Sequence, residues 1–397
     1  MKAEVPRVLF IVSQPFLQWR GSPIRVYFDV RALSQLGYEV DLLTLPIGET
    51  PDLPPGVRLI RTPNLFCARQ VSIGPSFLKA LFDLVLFFHA WALILRRRPA
   101  ILHGVEDAGV VAVVLGRLTR RPVVFEKHSD PGSHAQGRLK NMVLKLYARA
   151  EAFALRRAAA VIGTGPGLAA QAAAIAPHAI VHSIPDIPSS LHDVDDREVV
   201  RLRAALKQDP DECLLMYVGS LAVYQGVDVL LDSLPRVVSR HPKARLVILC
   251  NPSKAADEKK ARMAELGMAG RVTFLGPVHP DHIPNYLAAA DVLVSPRLAG
   301  ANTPLKILDY LKAGRAVLAT DTEANRLLLN DSLALLVPPT PEALADGFDR
   351  LISDPGLRAR LADAGRAEQQ RAYTFDVFRD GLRRCYQPLT SPGDPPC

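Results

Sequence analysis

The stretch 295–320, SPRLAGANTPLKILDYLKAGRAVLAT, constrains this chain most. It leaves an apolar run that reads as a strand, crosses a Gly/Ala/Asn loop and enters a helical pattern at Pro304. The pattern ends at Gly314, and the chain runs straight into a second apolar strand, 316–319. Strand, helix and strand in so short a span make a βαβ crossover. Pro304 suits a first helical turn, where its missing N–H would have no partner, and Thr303 is placed to cap the exposed amides. Such a helix start favours an anion. Two readings follow: a Rossmann-like half with a phosphate-bearing ligand at this helix, or an ordinary crossover helix of an α/β protein.

The same alternation recurs along the chain. In the first half, apolar strand patterns at 8–12, 38–45, 57–61, 100–103, 122–125 and 159–163 are separated by helical patterns, the longest at 77–95 and 142–158. A Pro/Ser/Asp/His stretch, 183–196, breaks the rhythm and reads as a linker. Strands at 213–218, 244–250, 272–275 and 292–295 then restart it, with helices between them and a last helix at 375–386. A chain of 397 residues exceeds what one hydrophobic core usually serves. We therefore expect an α/β fold of two Rossmann-like domains, 1–190 and 191–371, facing each other across a cleft. A segment 372–397 follows, whose helix returns to the first domain on its Phe375, Phe378 and Leu382 stripe. In open sheets of this kind ligands lie beyond strand C-termini, so the loops 13–25, 103–107 and 126–134 are the candidate site of the first domain.

Charge narrows the partners. Through Ser190 there are 22 Lys/Arg against 13 Asp/Glu; after it, 26 against 27. The basic excess of the first half points to an anionic partner such as phospholipid, polyprenyl phosphate or nucleic acid. No zinc finger or RNP-type aromatic pair is spelled, so nucleic acid is not expected. Five scattered cysteines, Cys67, Cys213, Cys250, Cys385 and Cys397, form no CxxC or metal spacing and suit a reducing cytoplasm. The N-terminus leads directly into an apolar strand, without a secretory pattern. The most apolar stretch, 77–95, is interrupted by Lys79, Asp83 and His89 and followed by Arg96, Arg97 and Arg98. It reads as a core helix or as one resting on an anionic bilayer at the cytoplasmic face of the inner membrane, more readily than as a span. Neither GxGxxG after a first strand nor GxxxxGK[ST] occurs, which argues against NAD, FAD and P-loop ATP binding.

Several pieces in this order, PRVLFIVSQPF, YVGSLAVYQGVDVLLDSL, RVTFLGPV, YLAAADVLVSPR and TPLKILDYLKAGRAVLATD, resemble the family 4 retaining glycosyltransferases of the GT-B fold over nearly the whole chain. The resemblance implies a nucleotide sugar, UDP- or GDP-linked, in the second domain and a glycan, lipid or lipid-linked acceptor in the first, often near a membrane. It implies no essential metal; the DxD-like Asp193-Val194-Asp195 lies in the linker.

Two departures from the family pattern shape the expected site. Of the family's two glutamates seven residues apart, the second position is Asp309, expected to accept the ribose hydroxyls, and the first is Ala301. The sugar hydroxyls would then fall to Asn302, Thr303 and backbone amides, with Pro304 and Leu305 opening the helix. The first loop of the second domain, Gly219-Ser220-Leu221-Ala222-Val223-Tyr224-Gln225-Gly226, lacks the usual arginine and lysine. Gly219 and Gly226 give the backbone freedom, Ser220 and Gln225 offer neutral donors, and Lys306 and Arg297 are the expected charges for the diphosphate. The base is expected at Phe274 and Leu275. On the acceptor side the resemblance points to His128, with Glu106 and Asp107 beside it and Trp19, Arg20 and Gly21 as a loop over the acceptor. A nonenzymatic nucleotide-sugar binder, an epimerase and a phosphorylase are the alternatives.

Overall fold

The computed structural model describes residues 5–16, 21–67, 77–129, 138–299 and 303–390. Trp19, Arg20, Ala301 and Asn302 therefore lie outside the described residues. The chain divides into two compact units, Met1–Asp186 with Phe375–Cys397, and Ile187–Thr374.

In the first unit the strands are β1 (Arg7–Val12), β2 (Glu39–Thr44), β3 (Val57–Arg61), β4 (Ile101–Val105), β5 (Val123–Lys127), β6 (Ala160–Gly163) and β7 (Val181–Ser183). Between them run α1 (Gly21–Gln35), α2 (Phe77–Arg97), α3 (Asp107–Thr119), α4 (Arg138–Leu155) and α5 (Pro166–Ile175). The sheet order is β3-β2-β1-β4-β5-β6-β7, and every pairing is parallel. Residues of β1, β4 and β5 are buried nearly without exception because helices cover both faces.

The second unit repeats the plan. Helix α6 (Asp196–Leu206) leads to β8 (Cys213–Val218), α7 (Val227–Arg240), β9 (Ala244–Leu249), α8 (Lys254–Glu265), β10 (Val272–Leu275), α9 (Ile283–Ala289) and β11 (Val292–Ser295). Then come α10 (Lys306–Lys312), β12 (Ala316–Thr320), α11 (Glu323–Arg326), β13 (Leu335–Val337), α12 (Pro341–Ser353) and α13 (Pro355–Ala372). The order is β10-β9-β8-β11-β12-β13, again all parallel. Apolar residues of the two sheet faces form separate clusters, one under α7 and α12, the other under α10. Both units are thus Rossmann-like.

The last helix, α14 (Phe375–Thr390), packs on α1 of the first unit. Its buried Phe378, Gly381, Leu382, Cys385 and Tyr386 recur at three and four residues, and the Phe375 ring meets Phe28 edge-on at 6.3 Å. Helix α2 combines the two expectations for its sequence. Phe82, Leu86, Ala90, Leu93 and Ile94 are buried, while Leu84, Phe88, Trp91 and Leu95 form an opposite stripe that is 55, 57, 37 and 65% exposed. By length and composition alone Leu78–Arg97 is apolar enough to cross a membrane, but its inner face belongs to the core of the first unit.

Candidate functional site

A doubly wound sheet opens a crevice where its strand order reverses, at the C-terminal ends of the two strands flanking that point. In the second unit those strands are β8 and β11. After β8 comes the loop Gly219–Gly226, and after β11 come Pro296 and Arg297. Gly226 has φ +69°, and a Cβ there would collide with the Pro296 carbonyl, so the two loops touch backbone to backbone. Gly219 has φ +145°, and its missing side chain leaves room for Lys306, whose Nζ would stand 3.0 Å from a Cβ at that position.

Lys306 is the centre of this group. Its Nζ donates to Gln225 Oε1 at 2.7 Å and to Tyr217 Oη at 3.1 Å, and lies 4.3 Å from the Tyr217 ring centroid. Tyr217 donates its own hydroxyl proton to the Ser220 carbonyl at 2.6 Å, which leaves the oxygen's lone pairs facing Lys306. All these partners are neutral. Burial, helped by Arg297, pushes the Lys306 ammonium down to about 7. Arg297 donates Nε–H to the Ala299 carbonyl at 2.9 Å and lies 5.5 Å from the Tyr224 ring centroid, and its burial lowers its basicity. Among the described residues neither cation has a carboxylate within ion-pair distance. The loop is fixed from below, where Thr320 Oγ1 donates to the Arg297 carbonyl and the Asn325 amide donates to the carbonyls of Ser295 and Thr320 at 3.3 and 2.8 Å.

One expectation from sequence is corrected. Helix α10 begins at Lys306 rather than Pro304, and Thr303 does not cap it. The chain enters through i→i−3 turns instead, from Ile307 N to the Pro304 carbonyl and from Leu308 N to the Leu305 carbonyl, both 2.9 Å. The helix holds only 7 residues, so charge at this place rests on the Lys306 side chain rather than on a helix dipole. Asp309 is occupied. Ser189 N donates to its Oδ1 at 2.6 Å and Ser189 Oγ to its Oδ2 at 2.9 Å, and burial raises its carboxyl to about 6. The Phe274 side chain lines a cavity of about 330 Å³ with Lys260, Met263, Ala269, Val272 and Thr273, so the ring faces α8. Leu275 carbonyl accepts from Cys250 N at 3.3 Å, toward β9. Strand alternation then turns the backbone groups of Phe274 to the open sheet edge, where a base can pair.

In the first unit the reversal falls between β1 and β4. Gln14 after β1, Glu106 after β4 and Ser129 after β5 meet there: Glu106 accepts from Ser129 Oγ at 2.6 Å and Gln14 Nε2 at 3.2 Å. Glu106 sits at φ 51°, a costly conformation for a residue with a side chain and one that clusters at functional sites. Asp107 does not join it; it opens α3 and pairs with Lys79, which also donates to Ser13 Oγ at 2.9 Å. His128 is almost buried, its side chain 8% exposed, with Nδ1 against Ser22 Oγ and Nε2 3.3 Å from Glu126 Oε1. Gly21 begins α1, beside Ser22.

Sequence reasoning missed Tyr217, Ser189 and the buried Asp29, and reached Ser22, Arg25, His103 and Glu126 only as members of the loops 13–25, 103–107 and 126–134. A signal existed for the last two, since an ionisable residue inside a strand buried on both faces needs partners.

Two family models match this chain: a glycosyl transferase 4-like domain over residues 21–185 and glycosyl transferases group 1 over residues 212–354. With two Rossmann-like units, these matches relate the chain to the GT-B glycosyltransferases of the group 1 and 4-like kinds. Among individual proteins, it is 33% identical over 175 residues to a phosphatidyl-myo-inositol mannosyltransferase of Mycobacterium tuberculosis, a stretch covering 43% of this chain and 45% of that one. It is 25% identical over 365 residues to the alpha-D-kanosaminyltransferase of Streptomyces kanamyceticus, covering 85% and 93%. Its fold matches that of a sucrose-phosphate synthase from Thermosynechococcus elongatus with a TM-score of 0.75 at 20% identity, over 97% of this chain and 99% of that one. No group of three or more His, Cys, Asp or Glu side chains placed to hold a metal occurs among the described residues.

Proposed function

We propose that the chain transfers a hexose from a UDP- or GDP-linked sugar to a hydroxyl of a glycan, lipid or lipid-linked intermediate, with retained configuration. The observation that carries this reading is Lys306, a cation held by the neutral Tyr217 and Gln225 at the strand-order reversal of the second unit. A diphosphate placed there would supply the missing counter-charge, and the interaction would strengthen as negative charge collects on the leaving nucleotide. Arg297 adds a second positive charge, Gly219 and Gly226 let the backbone approach, and the Phe274–Leu275 edge receives the base. Asp309 reaches the ribose by exchanging Ser189 for the sugar hydroxyls. In the first unit His128 and Glu106 serve the acceptor hydroxyl, whose proton passes to the leaving phosphate as attack occurs on the face the nucleotide vacates.

The outward stripe of α2 supports a lipid or lipid-linked acceptor. Leu84, Phe88, Trp91 and Leu95 carry no charge among them, and the exposed Arg96 and Arg98 follow at one end. A peripheral helix on an anionic leaflet has this form, apolar below and basic at the headgroups, at the cytoplasmic face of the inner membrane.

The test is a screen of UDP- and GDP-sugars against total cell lipid and soluble extract, read by mass. Transfer gives an acceptor heavier by one hexose residue. Donor isomer exchange without an acceptor would make the chain an epimerase, phosphate-dependent cleavage a phosphorylase, and binding without turnover a nonenzymatic binder.

A further inference from the structure

Glu126 occupies the fourth position of β5 and is fully buried. Its two oxygens have different neighbours. Arg25 Nε donates to Oε1 at 2.5 Å, and His103 Nε2 lies 2.9 Å from Oε2. His103 Nδ1 stands 2.5 Å from Tyr386 Oη on α14, and the imidazole stacks on Phe10 with ring centroids 4.0 Å apart. On the other side His128 Nε2 is 3.3 Å from Glu126 Oε1, off the line of a good hydrogen bond, while its Nδ1 meets Ser22 Oγ.

An ionised carboxylate only accepts. Each imidazole, when neutral, then turns an N–H toward Glu126, which leaves its Nδ1 bare. The bare nitrogen of His103 accepts the Tyr386 hydroxyl proton, and that of His128 accepts the Ser22 proton. One buried negative charge thus sets the direction of every bond from α14 to the start of α1. The charge itself is secured: burial works against it, but Arg25 above all holds the Glu126 carboxyl well below the usual range. Burial lowers His103, keeping its imidazole neutral. Asp29, one turn beyond Arg25 and 0% exposed, has no donor at either carboxyl oxygen. Burial and the neighbouring Glu126 raise its carboxyl well above its ordinary value. Arg25 completes the group by donating to Asp186 Oδ1 at 3.0 Å and lying 5.0 Å from the Phe378 ring centroid.

We propose that Glu126 is a positioning residue for His128: it fixes that ring as the Nε2–H tautomer, with Nδ1 accepting from Ser22, and is itself held by Arg25, His103 and, through His103, Tyr386 of the last helix. The functional weight of this chain of bonds rests on His128 as an acceptor-side group. The tautomer does not, and it is measured without any transfer reaction, so the two ideas fail separately.

The experiment is nitrogen-15 NMR of the full chain labelled at histidine, with His103 and His128 assigned by single His→Gln variants. Two-bond proton–nitrogen couplings near neutral pH should show both rings as Nε2–H tautomers. In Glu126→Gln the carbonyl oxygen stays with Arg25 and the N–H₂ takes the Oε2 place, where the His103 N–H pointed, so the His103 ring should invert and the His128 signals should move because the negative charge beside Nε2 is gone. Tyr386→Phe should shift the His103 Nδ1 resonance, which loses its donor, without changing its tautomer. His128 found as the Nδ1–H form or as imidazolium in the wild-type chain would overturn the proposal, even if Glu126→Gln does not fold. Unchanged His128 signals in a folded Glu126→Gln variant would overturn it equally.

Discussion

The second unit leaves its central cation without a counter-charge, whereas the first surrounds its central carboxylate with charge and donors. Lys306 is held by a phenol and an amide, and the charge that acts on it, that of Arg297, has the same sign. Glu126 has Arg25 and His103 on its oxygens and, beside it, Asp29, whose carboxyl is raised well above its ordinary value. Burying an unpaired charge costs several kcal/mol, and a fold keeps one where something else neutralises it. On the proposed function, the contrast separates a place that receives an anion from one that holds side chains still.

The sharpest way to break that contrast is to remove the cation. Lys306→Ala should lower kcat/KM for transfer by about 10²- to 10³-fold, the range for losing a group that stabilises developing charge. Lys306→Gln should recover only part, since it restores a donor without charge. Single-turnover transfer by folded variants checks this, and near-wild-type rates for Lys306→Ala would move the phosphate role to Arg297 or another base.

Asp309 is the next test, because the structure gives it a partner inside the protein. Asp309→Asn should weaken nucleoside diphosphate binding by roughly tenfold, the scale of one hydrogen bond to a charged acceptor. It should also lower the melting temperature, since Ser189 loses the same carboxylate. Unchanged nucleotide affinity with reduced stability would make Asp309 a clamp on the linker and nothing more.

Smaller still is the expected effect on α2. Phe88→Ser with Trp91→Ser should reduce sedimentation with anionic vesicles several-fold, about what removing two partly exposed aromatic side chains from lipid implies. Raising salt should weaken the binding that remains, through Arg96 and Arg98. Equal binding to neutral and anionic vesicles would contradict the basic end of the stripe.

Much of this was legible in the sequence for a physical reason. Buried parallel strands read as continuous apolar runs, so β1, β4, β8 and β11 and the helices between them stood out. The strand order and its reversal points came only with the structure, and the loop at Gly219 and the cation at Lys306 could be named through the family resemblance, because that loop lacks the usual arginine and lysine. What pattern does not carry is pairing between distant segments. Nothing local ties Ser189 to Asp309, 120 residues on, or His103 to Tyr386, 283 residues on. The helix start at Lys306 was misjudged because Pro304 and Thr303 satisfy the local preference for a first turn and a cap, while the chain there folds into i→i−3 turns. His128 could be named by resemblance, but its near burial and its bond to Ser22 emerge only when the sheet brings α1 over β5.

The central claim is that Lys306 waits for an anion, and proton linkage tests it directly. A lysine brought down to about 7 by burial and Arg297 is largely neutral above that pH and must take up a proton to meet a diphosphate. Above pH 7.5 the nucleotide is itself fully ionised, its last phosphate proton leaving near pH 6, so the proton taken up there belongs to the protein. Calorimetric titration with UDP and with GDP, in buffers of different ionisation enthalpy between pH 7.5 and 9, should show uptake approaching one proton and affinity falling toward tenfold per pH unit for the nucleotide that binds. Lys306→Gln should bind more weakly, with neither uptake nor slope. Tight binding by the wild-type chain with a flat pH profile and no proton uptake would contradict the account.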